Sequence, residues 1–591
     1  MRRLLGLAVL VALMATASSA ATSTGTPTAS GRGGAAATVE ELATKAAIEV
    51  LRDGGNAVDA TVAAAAVLGV TEPFSAGIGG GGFMVVYRAK GRHSGLVTTI
   101  DHRETAPAAM RPDSFIDEAG NALPFNAARY SGLSVGVPGT VRGWSDALHR
   151  FGTISLEEAL APAIDVARDG FVVDQTFVDQ TQANVDWFDD VPASAALFLD
   201  PDGTPRDVGT VFRNPDLART YRLLAEHGAN AFYRGPLADA IVSTVRRPPI
   251  SPTANHTWRS GLMAASDLAA YRALERPPTR VSYRGLEVFS MGPPSSGGST
   301  VGEALNILEG YPLSTMTREE ALHYYLEASR YSFADRNAYL ADPAYFDVPL
   351  RGLLSKSYAA ERRSLITPTA ATSPVAPGNP HPHQVGEASA TSTRAGTTTH
   401  LTVSDRKGNV VSYTYTIEST GGAGLVVPGY GFLLNNELTD FNFDSTTHPN
   451  RADGGKRPRS SMAPTIVTHR GKPFLALGSP GGSMIITTVL QMLVDRIDLG
   501  TPLPAALANP RASQRNTTAT AAEPAFIQSP EAAALRTRGH AFTSTPEIGA
   551  ATAIEFLRGG RVLAVAEPTR RGGGSAMVVP PEWDDDDDDD D

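Results

Sequence analysis

Residues 397–419 read TTTHLTVSDRKGNVVSYTYTIES, and the fold turns on how this stretch is read. Two β-branched, alternating runs flank a turn cluster, Asp405-Arg406-Lys407-Gly408-Asn409, the pattern of a β-hairpin. With Arg406-Lys407-Gly408 as the loop and Gly408 left-handed, Asp405 faces Asn409. Pairing then runs Ser404 to Val410, Thr402 to Ser412, His400 to Thr414 and Thr398 to Thr416. Directly opposed Cβ atoms lie about 4.5–5.5 Å apart, so two threonine hydroxyls meet at the strand end. A single bulge would shift the register and break this pairing. Upstream, residues 367–396 form a Pro/Ala/Ser/Thr/Gly run without apolar periodicity. Such a run buries too little to offset its ordering entropy, so 367–397 is expected to be a mobile linker. A threonine heading a buried strand behind such a linker is a candidate self-cleavage site, because cutting there frees its α-amino group. Thr–Thr pairs also arise from β-propensity alone, and the hairpin by itself leaves both readings open.

The chain of 591 residues is 42% hydrophobic, enough for a large core. No second linker as marked as 367–396 interrupts it, so one large α/β unit is expected rather than several domains. There is no cysteine, hence no disulfide framework, thiol nucleophile or thiolate metal site. Eight consecutive aspartates, Asp584–Asp591, carry most of the formal charge of −11. Residues 581–591 therefore read as an acidic disordered tail, and nothing points to nucleic acid. Arg2-Arg3, the apolar run Leu4–Met14 and the small residues Ser18-Ser19-Ala20 make residues 1–20 an export signal. The run is too short for a stable membrane span. A flexible lead-in is expected over 21–35, and a secreted or periplasmic mature protein.

Along the chain, residues 39–69 read as two helices split at Gly54-Gly55. The glycines at 77–82 precede a strand, the wrong order for a phosphate cradle, so they signal close backbone packing and no nucleotide. Val97–Glu104 is a strand ending in charged residues, a common place for ligand contacts. Gly478-Ser479-Pro480-Gly481-Gly482-Ser483 lies before the apolar helix MIITTVLQMLVD and aims backbone N–H groups at whatever sits there, a ready oxyanion site. His381 and His383 fall in the linker without a partner cluster, so no metal is assigned, nor any other cofactor.

Taken in order, these pieces resemble the γ-glutamyltransferase (γ-glutamyltranspeptidase) family of N-terminal nucleophile hydrolases. The resemblance runs from about Val39 to Val579. It rests on GGNAVDA at 54–60, EPFSAGIGGGGF at 72–83, DHRETAP at 101–107, VGVPGTVRGW at 135–144 and GPPSSGG at 292–298. FADRNAYLADP at 333–343, TTHLTVSDRKGN at 398–409, LLNNELTDF at 433–441, KRPRSSMAPTIV at 456–467 and GSPGGS at 478–483 complete it. The family implies an α+β fold, a four-layer αββα sandwich made from one self-cleaving precursor. Its large subunit would span 36–397 and its small subunit 398–580, the two remaining together as a heterodimer.

The resemblance also assigns roles. Thr398 would be the nucleophile, first on its own precursor and then on a substrate γ-amide, with its freed amine as base. Thr416 would bond the nucleophile, and Gly481 and Gly482 would form the oxyanion hole. Arg103 would clamp the α-carboxylate of a glutamyl group with help from Ser460 and Ser461, while Glu437 and Asp440 hold its α-ammonium. Two departures are visible. Glu418 stands where many members have asparagine, and Phe441–Gly455 is shorter than the usual lid over the glutamate pocket, which favours water and polymeric substrates. The expected activity is transfer of a γ-glutamyl group from glutathione-like compounds to water or to an amino acid or peptide acceptor. Poly-γ-glutamate processing and cephalosporin (glutaryl) acylation use the same machinery, and a non-catalytic binding protein is the remaining alternative.

Overall fold

In the computed structural model, residues 27–89, 95–380 and 397–580 are described. The export segment 1–20, the acidic tail 581–591 and the His381/His383 pair lie outside them.

The hairpin forms in the expected register. Strand Thr399–Ser404 pairs antiparallel with Val410–Thr416, with His400 opposite Thr414, Thr402 opposite Ser412 and Ser404 opposite Val410. Asp405 N donates to Asn409 O at 3.0 Å, and Gly408 (φ +88°) closes the loop, its N–H donating to Asp405 O at 3.0 Å. Side chains alternate along each strand, so one face carries Leu401, Val403, Val411, Tyr413 and Tyr415 while the other carries hydroxyls and His400. The apolar face packs on helix Ala57–Thr71, against which Glu41–Arg52 and Leu156–Asp169 pack in turn. Every residue of Ala57–Thr71 is buried, which is why that helix is Ala-rich rather than amphipathic.

The hairpin is central in a seven-stranded antiparallel sheet. Its order is Ser575–Val578, Ala35–Thr38, Thr399–Ser404, Val410–Thr416, Gly81–Arg88, Leu96–Asp101, Leu274–Arg276. A second seven-stranded antiparallel sheet has the order Thr28–Arg32, Arg561–Ala566, Thr552–Phe556, Lys472–Gly478, Thr465–His469, Leu286–Ser290, Thr279–Tyr283. Gly297–Leu308, Arg318–Tyr339 and Met484–Leu493 cover its outer face. The sheets meet across small apolar clusters and a polar seam, where Ser412 Oγ donates to Leu477 O at 3.0 Å and Thr402 Oγ1 lies 3.2 Å from Thr552 Oγ1. The architecture is the αββα sandwich.

Two expectations fail where the described residues cover them. Of the lead-in expected to be flexible over 21–35, residues 21–26 lie outside the described residues, whereas Thr28–Arg32 is an edge strand paired with Arg561–Ala566 and Ala35 begins a central strand. A backbone ladder needs no apolar alternation, and Thr-Ala-Ser-Gly-Arg offers none. Of the linker expected to be mobile over 367–397, residues 381–396 lie outside the described residues, while 367–380 are tied down. Ala370 N donates to Arg538 O at 2.7 Å, Val375 N to Asn516 Oδ1 at 2.7 Å and Gly378 N to Asp335 Oδ1 at 2.6 Å. Composition measures what a segment can bury by itself, and here the partners lie on other elements.

Candidate active site

The chain is continuous through Thr397 and Thr398, so the structure is that of the uncleaved form. Thr398 is buried, one residue ahead of the hairpin strand. Its Oγ1 lies 3.3 Å from Thr416 Oγ1. The Thr416 hydroxyl donates to the carbonyl oxygen of Thr397 at 2.7 Å and accepts the N–H of Glu418 at 2.8 Å. One hydroxyl thus touches both the attacking oxygen and the carbonyl it would attack. Strand alternation produces this: Thr398, His400, Thr414 and Thr416 share the face toward the second sheet. His400, adjacent on this face, is engaged by neighbouring threonine hydroxyls. Burial pushes it down to about 3, and its ring nitrogens lie 2.8 Å from Thr414 Oγ1 and 3.2 Å from Thr402 Oγ1. Its ring fills the space a side chain at Gly478 would need, since a Cβ there would sit 2.3 Å from His400 Cε1.

The glycine-rich loop lets the strand end come this close. A Cβ on Gly80 would stand 1.9 Å from Thr416 O, and one on Gly79 2.0 Å from Leu433 O. Close packing is therefore what the glycine run at 77–82 provides.

Of the residues singled out in the sequence, all but Gly481 line one pocket: Thr398 and Thr416, then Arg103, Glu418, Glu437, Asp440, Ser460, Ser461 and Gly482. Gly481 faces a neighbouring cavity with Thr397, Pro480 and Arg571. Gly481 (φ +128°) and Gly482 (φ +55°) take backbone conformations that favour glycine. Neither amide N–H has a backbone acceptor among the described residues.

Arg103, expected to await a carboxylate, is bonded to the two acids expected to await an ammonium. It donates through Nη1 to Glu437 and through Nη2 to Asp440 at 2.5 Å. Opposite charges neutralise one another within the pocket, which lowers the cost of burying them. Burial works against the Arg103 charge, but Glu437, Asp440 and Glu104 outweigh it and hold the guanidinium protonated. Burial drives Glu437 well above the carboxylate range, and pushes Glu104, 4.0 Å from Arg103 Nη1, up to about 8. Glu418 takes a left-handed backbone (φ +80°) and accepts from Ser419 Oγ and, at 2.7 Å, from Asn436 Nδ2. Its carboxyl is raised by burial and by Asp440. Ser461 Oγ accepts from Arg336 Nη2 at 2.7 Å, and Ser460 Oγ accepts the N–H of Met462 at 3.1 Å.

Four arginines near the site escaped the sequence reading. Arg336 and Arg459 line the pocket, and Arg515 donates to the hydroxyl of its Ser483 at 2.6 Å. Arg571 donates to Thr398 O at 2.7 Å and to Ser75 Oγ at 2.9 Å, pinning the carbonyl of the candidate nucleophile. Arg336 and Arg459 sit within quoted blocks and could have been weighed. Arg515 and Arg571 lie in none, and only the folded chain brings them here.

The family profile described as Gamma-glutamyltranspeptidase matches residues 43–577. A glutathione hydrolase proenzyme of Bacillus subtilis (strain 168) is 38% identical over 554 residues, covering 92% of this chain and 91% of that protein. The Acylase ACY 1 proenzyme of Pseudomonas sp. (strain SE83) is 37% identical over 549 residues, 91% and 92% of the two chains. Among solved structures, a cephalosporin acylase from Bacillus halodurans superposes with TM-score 0.82 at 29% identity, covering 93% of this chain and 96% of that one. A profile match spanning nearly all the described residues, with relatives this similar end to end, leaves one conclusion: the chain belongs to the gamma-glutamyltranspeptidase family.

Proposed function

We propose that this protein is a self-cleaving γ-glutamyl hydrolase and transferase with Thr398 as nucleophile, acting on glutathione and related γ-glutamyl compounds. The observation that carries the reading is the Thr416 hydroxyl, bonded to the Thr397 carbonyl and in reach of Thr398 Oγ1. In maturation, Thr398 Oγ attacks the Thr397 carbonyl carbon while Thr416 polarises its oxygen. A C–O bond forms, the C–N bond breaks, and the nitrogen keeps its electron pair and takes a proton. Water then hydrolyses the ester, leaving a Thr397 carboxylate and a free Thr398 amine.

That amine, with an ordinary pKa of about 7.7–8.0, is suited to take the hydroxyl proton near neutrality. Thr398 Oγ then attacks the γ-carbonyl of the donor, and the oxyanion is met by the amides of Gly481 and Gly482, each worth about 3–4 kcal/mol by analogy with other hydrolases. The leaving amine takes the proton, and the γ-glutamyl ester passes to water or to an acceptor amine. Arg103, Ser460 and Ser461 hold the α-carboxylate, and Glu437 and Asp440 the α-ammonium. Glu418 adds a third carboxylate on that side.

The acylase relatives support a second reading in which a glutaryl group replaces the glutamyl group. A glutaryl chain lacks the ammonium and would take Arg103 from Glu437 and Asp440 with nothing to replace it. Buried acids left unpaired in this way are costly, which favours the glutamyl reading. Residues 1–20 carry the features of an export signal, and no helix among the described residues is long and apolar enough to cross a membrane. The export-signal features of residues 1–20 support a location outside the cytoplasm. The test is to compare γ-glutamyl and glutaryl 4-nitroanilides on the self-cleaved enzyme: the reading requires a large preference for the γ-glutamyl compound, and faster glutaryl turnover would reverse it.

A further inference from the structure

The uncleaved chain holds Thr398 through Thr397 on one side and Arg571 on the other, and self-cleavage would remove the first. Thr397 is tied through its hydroxyl to Phe74 O at 3.3 Å and Glu418 O at 3.4 Å, and it would leave with the N-terminal piece. The ladder with Val410–Thr416 begins only at Thr399, so the freed residue 398 would overhang the sheet. What stays is the arginine on its carbonyl. Strand Ala35–Thr38 separates Thr399–Ser404 from Ser575–Val578, and both of those strands run antiparallel to it. Thr402 and Ala576 each face Ala37, so counting back four residues sets Thr398 level with Gly572, where Ala35–Thr38 has already ended. Two strand spacings span about 9–10 Å, which an extended arginine bridges. Arg571 does so, donating through Nη1 to Thr398 O at 2.7 Å and through Nη2 to Ser75 Oγ at 2.9 Å. Its backbone is left-handed (φ +55°), uncommon for a residue other than glycine, and its N–H is accepted by Glu547 at 3.2 Å.

A guanidinium on the carbonyl of an N-terminal residue also acts on its amine. Backbone bond lengths keep a residue's own nitrogen close to its carbonyl oxygen, so this charge stands within about 6 Å of the amine. A like charge at that range disfavours the ammonium. Acids oppose it less directly. Glu418 shares the pocket with Thr398, but burial raises its carboxyl, which accepts from Ser419 and Asn436. Burial pushes Glu72 up to about 7, and its charge, like that of Glu547, faces Arg571. Glu437 and Asp440 are bonded to Arg103, and Arg336 and Arg459 add positive charge to the same pocket. Burial keeps His400, on the same face, neutral. We propose that Arg571 is a positioning residue for the mature reaction: it fixes the new N-terminus at Thr398 and keeps its α-amine in the free-base form that takes the hydroxyl proton. This inference rests on the reading of Thr398 as nucleophile and adds how its base is kept ready near neutrality.

The test reads the amine directly, as the pH dependence of its acetylation by acetic anhydride in the self-cleaved protein. The readout is the mass of the small chain's N-terminal peptide after hydroxylamine has removed any ester. The wild-type midpoint is expected about one pH unit below the ~7.7–8.0 of an ordinary α-amine, to return to that range in R571Q, and to stay depressed in R571K. Turnover of a γ-glutamyl 4-nitroanilide should follow, with kcat about tenfold lower in R571Q at unchanged KM and most of it recovered in R571K. A wild-type midpoint in the ordinary range, a midpoint and kcat indifferent to R571Q, or an R571K no better than R571Q would overturn the inference. In each of these cases a self-cleaved, active wild type leaves the nucleophile reading intact. Should R571Q stay uncleaved, the wild-type midpoint decides alone. A wild type without a chain beginning at Thr398 would remove both.

Discussion

The Thr416 hydroxyl has one hydrogen to give and two lone pairs to fill, and the uncleaved chain uses all three. It donates to the Thr397 carbonyl and accepts from the Glu418 amide, with Thr398 Oγ1 as its third neighbour. Removing it strips the carbonyl of its donor at the moment charge develops there. T416A should slow self-cleavage by about 10²–10³-fold, followed as loss of intact chain with time, and cost the uncleaved form about 1–3 kcal/mol through the partners left unpaired. Cleavage at the wild-type rate would remove Thr416 from the reaction. A second consequence concerns pH. Burial favours the protonated form of Glu437. An incoming α-ammonium favours its carboxylate, so donor binding releases a proton. KM for a γ-glutamyl anilide should fall as pH rises above neutrality, whereas a glutaryl anilide should show no such gain. A KM indifferent to pH over that range would contradict the assignment of Glu437 to the ammonium.

At the scale of elements, the site is where a hairpin end meets a glycine turn. G80A would place a Cβ 1.9 Å from Thr416 O, a backbone atom that cannot step aside without moving the strand. The substitution should cost about 3 kcal/mol and stall maturation, read as a lower unfolding midpoint and persistence of the uncleaved chain. Normal cleavage by G80A would mean that this approach is not needed. The hairpin was legible in the sequence because period-2 alternation and a five-residue turn cluster fix its register without reference to the rest of the fold. The glycine run was legible as close packing for a similar local reason. Thr28–Arg32 was not, because its order comes from a ladder with Arg561–Ala566, more than five hundred residues away. Residues 367–380 failed for the same reason. Arg515 and Arg571 belong with them: an isolated arginine carries no local pattern, and only tertiary structure brings it to Ser483 or to the Thr398 carbonyl.

At the scale of the molecule, the cut at Thr398 would not separate the two pieces. In one sheet, Ala35–Thr38 of the N-terminal piece lies between Thr399–Ser404 and Ser575–Val578 of the C-terminal piece. In the other, Thr28–Arg32 pairs with Arg561–Ala566, and Leu286–Ser290 pairs with Thr465–His469. Both sheets are thus woven from both pieces, and dissociation would break ladders in each. The cleaved protein should elute as one species in native buffer and split into two only in denaturant; separation in native buffer would contradict the interleaved topology. The most direct test of the whole account is intact mass and N-terminal sequencing of the purified wild type beside T398A, both denatured. The account predicts two chains from the wild type, the smaller beginning Thr398-Thr399-His400, and a single chain from T398A. A wild type that turns over γ-glutamyl donors while remaining one chain through residue 398, or one cut at another bond, would contradict it.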